Sequence, residues 1–138
     1  MGTLIVALLA LLGGLPVHQA SPQAREGASA VFRDVERALA SAAVSEIEAH
    51  LGDQVTVSIE RTDLGYVSAN QATSILNSYF ALRKPTSFTF SRTDDRQANP
   101  FATGRLYFVK QGTRGSAQVY VCLARRDSIW VISQLNLY

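Results

Sequence analysis

Cysteine is almost missing from this chain, with Cys122 the only one among 138 residues. One thiol cannot close an internal disulfide, so the fold must stand on an apolar core even in an oxidising compartment. Cys122 lies within VYVCLA, the setting of a buried inert thiol rather than of a nucleophile or ligand. No cysteine directly follows the first apolar run to take a lipid anchor, and MGTLIV has Val6 where myristoylation needs Ser or Thr. Histidine is nearly as scarce: beyond His18 near the N-terminus there is only His50, with no Cys, His or carboxylate at metal-ligand spacing. His50 reads instead as a complement to the C-terminal dipole of a short helix. Clustered charge is also lacking. The 13 basic and 11 acidic residues leave a net +2, and the only basic pairs, Arg83–Lys84 and Arg125–Arg126, fall where elements end, as solvated termini do. Without a basic stripe interleaved with aromatics, nucleic acid is excluded as a partner. There is no internal repeat and no Asn-x-Ser/Thr acceptor.

What is present begins with an apolar run. Leu4 to Leu12, LIVALLALL, has the length of a signal h-region and falls short of the ~20 residues of a membrane-spanning helix. Gly13, Gly14 and Pro16 follow, and Ala20 offers a small residue for cleavage. The expected organisation is a signal segment over residues 1–20, a flexible polar leader over 21–27 and a single domain over 28–138. The mature chain is expected to be secreted or periplasmic, with no stable membrane anchor.

Helical periodicity places Ala28, Phe32, Val35, Leu39 and Ala42 on one face. A short helix from Val44 to Leu51 is expected to end at Gly52 as a C-terminal cap. Val55, Val57 and Ile59 then alternate with polar residues as a half-buried strand does. Asp63-Leu-Gly65 supplies turn chemistry, and Ser68 with Gln71 forms a capping-box start for a helix burying Ala72, Ile75, Leu76, Tyr79 and Phe80. That helix should stop before Lys84-Pro85. Strands follow around Phe88–Phe90, Arg105–Lys110, Ala117–Arg125 and Ile129–Leu137. The order α-α-β-α-β-β-β-β describes an α+β fold with helices on one face of a curved antiparallel sheet.

The last two strands are apolar on both faces. Strict alternation puts Val119, Val121, Leu123, Trp130 and Ile132 on one side and Tyr120, Cys122, Ala124, Ile129, Val131 and Leu135 on the other. A solvated back face should be polar. The second set, with Tyr120, Ile129, Val131 and Leu135 at its centre, is therefore expected to be the face of a homodimer.

The stretches FRDVERALASAAVSEIEAHLGDQVTVSI (32–59), LGYVSANQATSILNSYF (64–80) and AQVYVCLARRDSIWVISQLNL (117–137) resemble the nuclear transport factor 2-like, or cystatin-like, superfamily. More narrowly, the chain is similar to a bacterial family of small exported domains of unknown function. The resemblance spans about residues 28–138 and implies an NTF2-like cone, with helices packed in the hollow of a strongly bent sheet. That superfamily holds isomerases, dehydratases and cyclases as well as binding modules, and fold does not choose between them. Its enzymes use an Asp, Glu or His in the hollow with a Tyr or acid beside it. Here Asp34 and Glu36 fall on the outer side of a helix, Glu46 and Glu48 on a short helix, and Asp53, Asp63 and Asp127 in turns. The adjacent pair Asp94-Asp95 heads a loop and has too few oxygens for calcium. Polar groups on the apolar face, Gln134 and Asn136, are the candidate ligand contacts at the rim of the cup, with Tyr79. The expected function is non-catalytic binding of a small apolar molecule or a protein partner, without cofactor or metal. The alternatives are an isomerase-, dehydratase- or cyclase-type enzyme and a purely structural dimerisation module.

Overall fold

A 20-residue helix, α1 (Pro22–Ser41), buries Val31, Phe32, Val35, Ala38 and Leu39 along one stripe and turns Arg33 and Arg37 to solvent. The computed structural model describes residues 22–138, with side chains from Gly27 onward, so the expected signal segment lies outside the described residues. Residues 22–27, read from sequence as a flexible leader, belong to α1. Ala42 falls beyond the helix, at φ +56, rather than on its buried stripe. α2 (Val44–Glu48) is a single short turn anchored by Val44 and Ile47.

Gly52 does not cap α2. It lies inside β1 (Leu51–Ile59), where a Cβ would meet Val131 Cγ2 at 3.2 Å and the Ile132 carbonyl oxygen at 3.3 Å. A side chain at this strand position would be tight, and the Val131 methyl or the β6 backbone would have to give by a few tenths of an ångström. β2 (Thr62–Ser68) is a strand where the sequence suggested only a turn. The Ser68–Gln71 capping box opens α3 (Ala69–Leu82), which buries Ala72, Leu76 and Tyr79. β3 (Lys84–Asp94), β4 (Phe101–Lys110), β5 (Thr113–Arg126) and β6 (Ile129–Leu137) follow.

The six strands form one curled sheet in the order β2-β1-β6-β5-β4-β3. All pairs are antiparallel except β1 with β6, which run parallel. The three helices pack on one face, and the hollow is filled by side chains. Leu76, Leu106, Val119, Val121, Leu123, Ile132, Leu135 and Leu137 are all fully buried. Aromatic edges pack against faces at Phe32–Phe90, Phe88–Phe90 and Tyr79–Phe108.

Strict alternation fails in β6. Leu123 pairs with Ile132, but Cys122 pairs with Gln134, so a bulge at Ser133 lets the strand gain one residue. The Ser133 hydroxyl donates to the Cys122 carbonyl at 3.2 Å. The slip moves every later side chain to the opposite face. Leu135, expected on the dimer face, is fully buried in the hollow beside Val121. Gln134 and Asn136, expected on the hollow side, pair with Cys122 and Tyr120 on the outer face.

Candidate functional site

The predicted rim residues do not come together: Tyr79 points into the cone from α3, while Gln134 and Asn136 lie on the other side of the sheet. Asn136 is itself enclosed between Ser58 of β1 and Tyr120 of β5, and its Nδ2 donates to the Tyr138 phenol at 2.8 Å. Its Oδ1 is buried without a hydrogen-bond partner.

Around Tyr79 the structure builds a different site. The last turn of α3 and the β1–β2 hairpin flank an open groove of about 560 Å³ at the mouth of the cone. Its walls include Ile59, Leu64, Ile75 and Leu82, and its polar side chains include Glu60, Arg83 and Lys110. A second depression shares Leu64, Ser74 and Ile75 and carries the apolar wall on toward Val67. Leu64 and Leu82 are large apolar side chains left exposed here, at 41% and 56%.

Arg83 lines the mouth. In the sequence it belongs to a basic pair at the end of an element, the pattern of a solvated terminus, yet its side chain is only 7% exposed. Nη1 donates to the Tyr79 carbonyl at 3.3 Å, and the guanidinium lies 4.1 Å over the Tyr79 ring and 5.6 Å from the Phe108 ring. Nη2 donates to Glu60, whose side chain is 61% exposed. Burial pushes the Tyr79 phenol above its ordinary value, while the positive charge of Arg83 pulls it down and Glu60 raises it again. The signal for Arg83 was present in its place four residues after Tyr79, at the extended C-cap of α3, from which the side chain folds back over the ring one turn earlier. Glu60 had no local signal, because its partner stands 23 residues away.

The remaining candidates have structural employment. His50 Nε2 lies 3.1 Å from Asp34 Oδ2, so the ring ties the start of β1 to α1 rather than serving the dipole of α2. Arg37 pairs with the same carboxylate at 2.8 Å. Glu36 accepts a hydrogen bond from the Phe90 amide at 2.8 Å on the free edge of β3. Among the described residues, no three His, Cys, Asp or Glu side chains gather as a metal ion would require. No described helix is long and apolar enough to cross a membrane.

Solved structures share this arrangement of helices on a curled sheet. A protein of unknown function with a cystatin-like fold from Nostoc punctiforme superimposes with a TM-score of 0.59 at 10% identity, covering 85% of this chain and 91% of its own. An NTF-2 like protein of unknown function from Shewanella oneidensis gives 0.60 at 10% identity, covering 81% and 96%. The fold is therefore NTF2-like. A DUF4783 family protein from Bacteroides uniformis gives 0.70 at 21% identity, covering 76% of this chain and 93% of that one. Residues 32–137 match the family described as Domain of unknown function (DUF4783), and the chain belongs to it. No curated protein sequence matches the chain significantly.

Proposed function

We propose that this chain is a non-catalytic binding domain that takes a small, mainly apolar molecule in the mouth groove and works as a homodimer through its outer sheet face. The groove carries the reading. Ile59, Leu64, Ile75 and Leu82 form apolar walls around a few convergent polar groups, the composition of a small-molecule site. An isomerase-type base would need a desolvated carboxylate facing its substrate. Glu60, which shares the groove with Tyr79, is mostly solvated and already engaged by Arg83.

Decanol is a suitable neutral probe. Its titration should shift the methyl resonances of Ile59, Leu64, Ile75 and Leu82 in a saturable manner. Leu82→Asp, an exposed position, should weaken binding at least ~10-fold by placing a charge against the alkyl chain. Shifts scattered over other surfaces, or an unchanged affinity in Leu82→Asp, would remove the groove from consideration.

A further inference from the structure

The polar end of the groove specifies its ligand further, and this inference rests on the binding role proposed above. Arg83 is a buried cation: its side chain is 7% exposed, packed over one aromatic ring and near another. Its carboxylate partner is of the opposite kind, since Glu60 is 61% exposed and reaches Arg83 from the solvent side. Glu60 is mostly solvated and can return to water, whereas a buried guanidinium left without an anion is costly, so exchange of one carboxylate for another is the favoured route. A guanidinium also presents a planar fork of donors that suits a carboxylate from any source.

The backbone beneath Glu60 adds an independent observation. Glu60 and Arg61 have φ of +50° and +67° between the paired residues Ile59 and Thr62, the left-handed geometry of a type I′ hairpin turn. The other tight turns of the sheet use residues better suited to it, Gln111-Gly112 and Asp127-Ser128. Glu60-Arg61 contains no Gly, Asn or Asp, so turn preference does not account for a glutamate at this tip. Strained backbone of this sort gathers at ligand clamps and switch regions. Lys110 lines the same groove. Two positive side chains against one negative leave the groove one charge positive, and two positive when Glu60 turns away.

We propose that the ligand is a carboxylate-bearing amphiphile whose head group replaces the Glu60 carboxylate on Arg83 while its alkyl chain lies along Leu64, Ile75 and Leu82. Glu60 is a built-in competitor. It neutralises the guanidinium in the empty groove and swings to solvent when the ligand arrives.

The test compares decanoate with decanol, both titrated at neutral pH into the wild-type chain and into Glu60→Gln. The wild type should prefer decanoate by about tenfold, as a charge-assisted contact to a buried arginine would give. Glu60→Gln should bind decanoate roughly three- to tenfold more tightly and decanol unchanged, because the competing ion pair is gone. Arg83→Gln should lose the preference; burial makes that variant a risk to folding, so the exposed Glu60→Gln carries the test alone. Equal binding of decanol and decanoate by the wild type would overturn the head-group assignment and leave the groove as a binding site. Binding of neither would sink both. Weaker decanoate binding by Glu60→Gln would make Glu60 a part of the site and overturn its role as competitor.

Discussion

Tyr79 shows how a single buried phenol reports on the mouth of the cone. Burial is the largest influence on it and raises its pKa above the ordinary value of 10.0. The folded chain therefore keeps the phenol proton at a pH where the unfolded chain releases it. Stability from this source is intact below about pH 10 and is lost as pH rises through the folded-state value. Urea midpoints should be level between about pH 8 and 9.5 and fall above pH 10, and the fall should be shallower in Tyr79→Phe. Tyr120, raised by desolvation first and then by Cys122 and Tyr138, will sustain part of the slope in both proteins. Identical slopes would show that the Tyr79 phenol is not shielded. Arg83 teaches the complementary lesson, because its neighbour Lys84 is exposed while Arg83 itself is buried. The difference comes from an aromatic ring one helical turn back, not from the basic pair.

The bulge at Ser133 decides the faces of β6, and paired substitutions can read it out. Leu135→Ala should cost about 2–5 kcal/mol in chemical denaturation, as removal of a fully buried leucine does. Gln134→Ala should stay within about 0.5 kcal/mol. The reverse ranking would restore strict alternation. Much of the fold was legible because it rests on local periodicity: the stripe of α1, the Ser68–Gln71 box and the alternation of Val119, Val121 and Leu123. β2 was hidden because its sequence carries turn chemistry inside the strand. Gly65 has φ +74, and its amide donates to Asp63 at 2.7 Å, so the strand is irregular opposite Val57 and Ser58. The bulge was hidden because one inserted residue changes register without changing composition. The groove was hidden because Glu60 and Arg83 belong to different elements, and only the closed hairpin brings them together.

Across the whole molecule, the outer face keeps a mainly apolar strip, with the Arg92 guanidinium 5.5 Å over the Phe101 ring at one end. Phe101 stacks on Tyr120 with centroids 5.7 Å apart, and Cys122, Ala124 and Val131 continue from it, half-buried. Ile129 extends the strip and is 63% exposed. A twofold contact would bury the same strip, exposed Ile129 included, from both copies. Light scattering at micromolar concentration should give a dimer for the wild type and a monomer for Val131→Lys, with an unchanged circular dichroism spectrum. A wild-type monomer would end the proposal of a sheet-to-sheet pair. The strand order has a consequence of another kind. β6, the last strand of the fold, lies in the middle of the sheet and joins the β1–β2 hairpin to β5, β4 and β3. Its far end is held by the Glu60 amide, which donates to the Leu137 carbonyl at 2.7 Å, and by Gln118 and Tyr138, whose amides each donate to the other's carbonyl. Until β6 takes its place, no strand-to-strand pairing links the two halves of the sheet, and only the helices reach across them. Joining them is therefore a late, non-local step: the sheet becomes one piece only when β6 enters between β1 and β5, bringing together segments far apart in sequence.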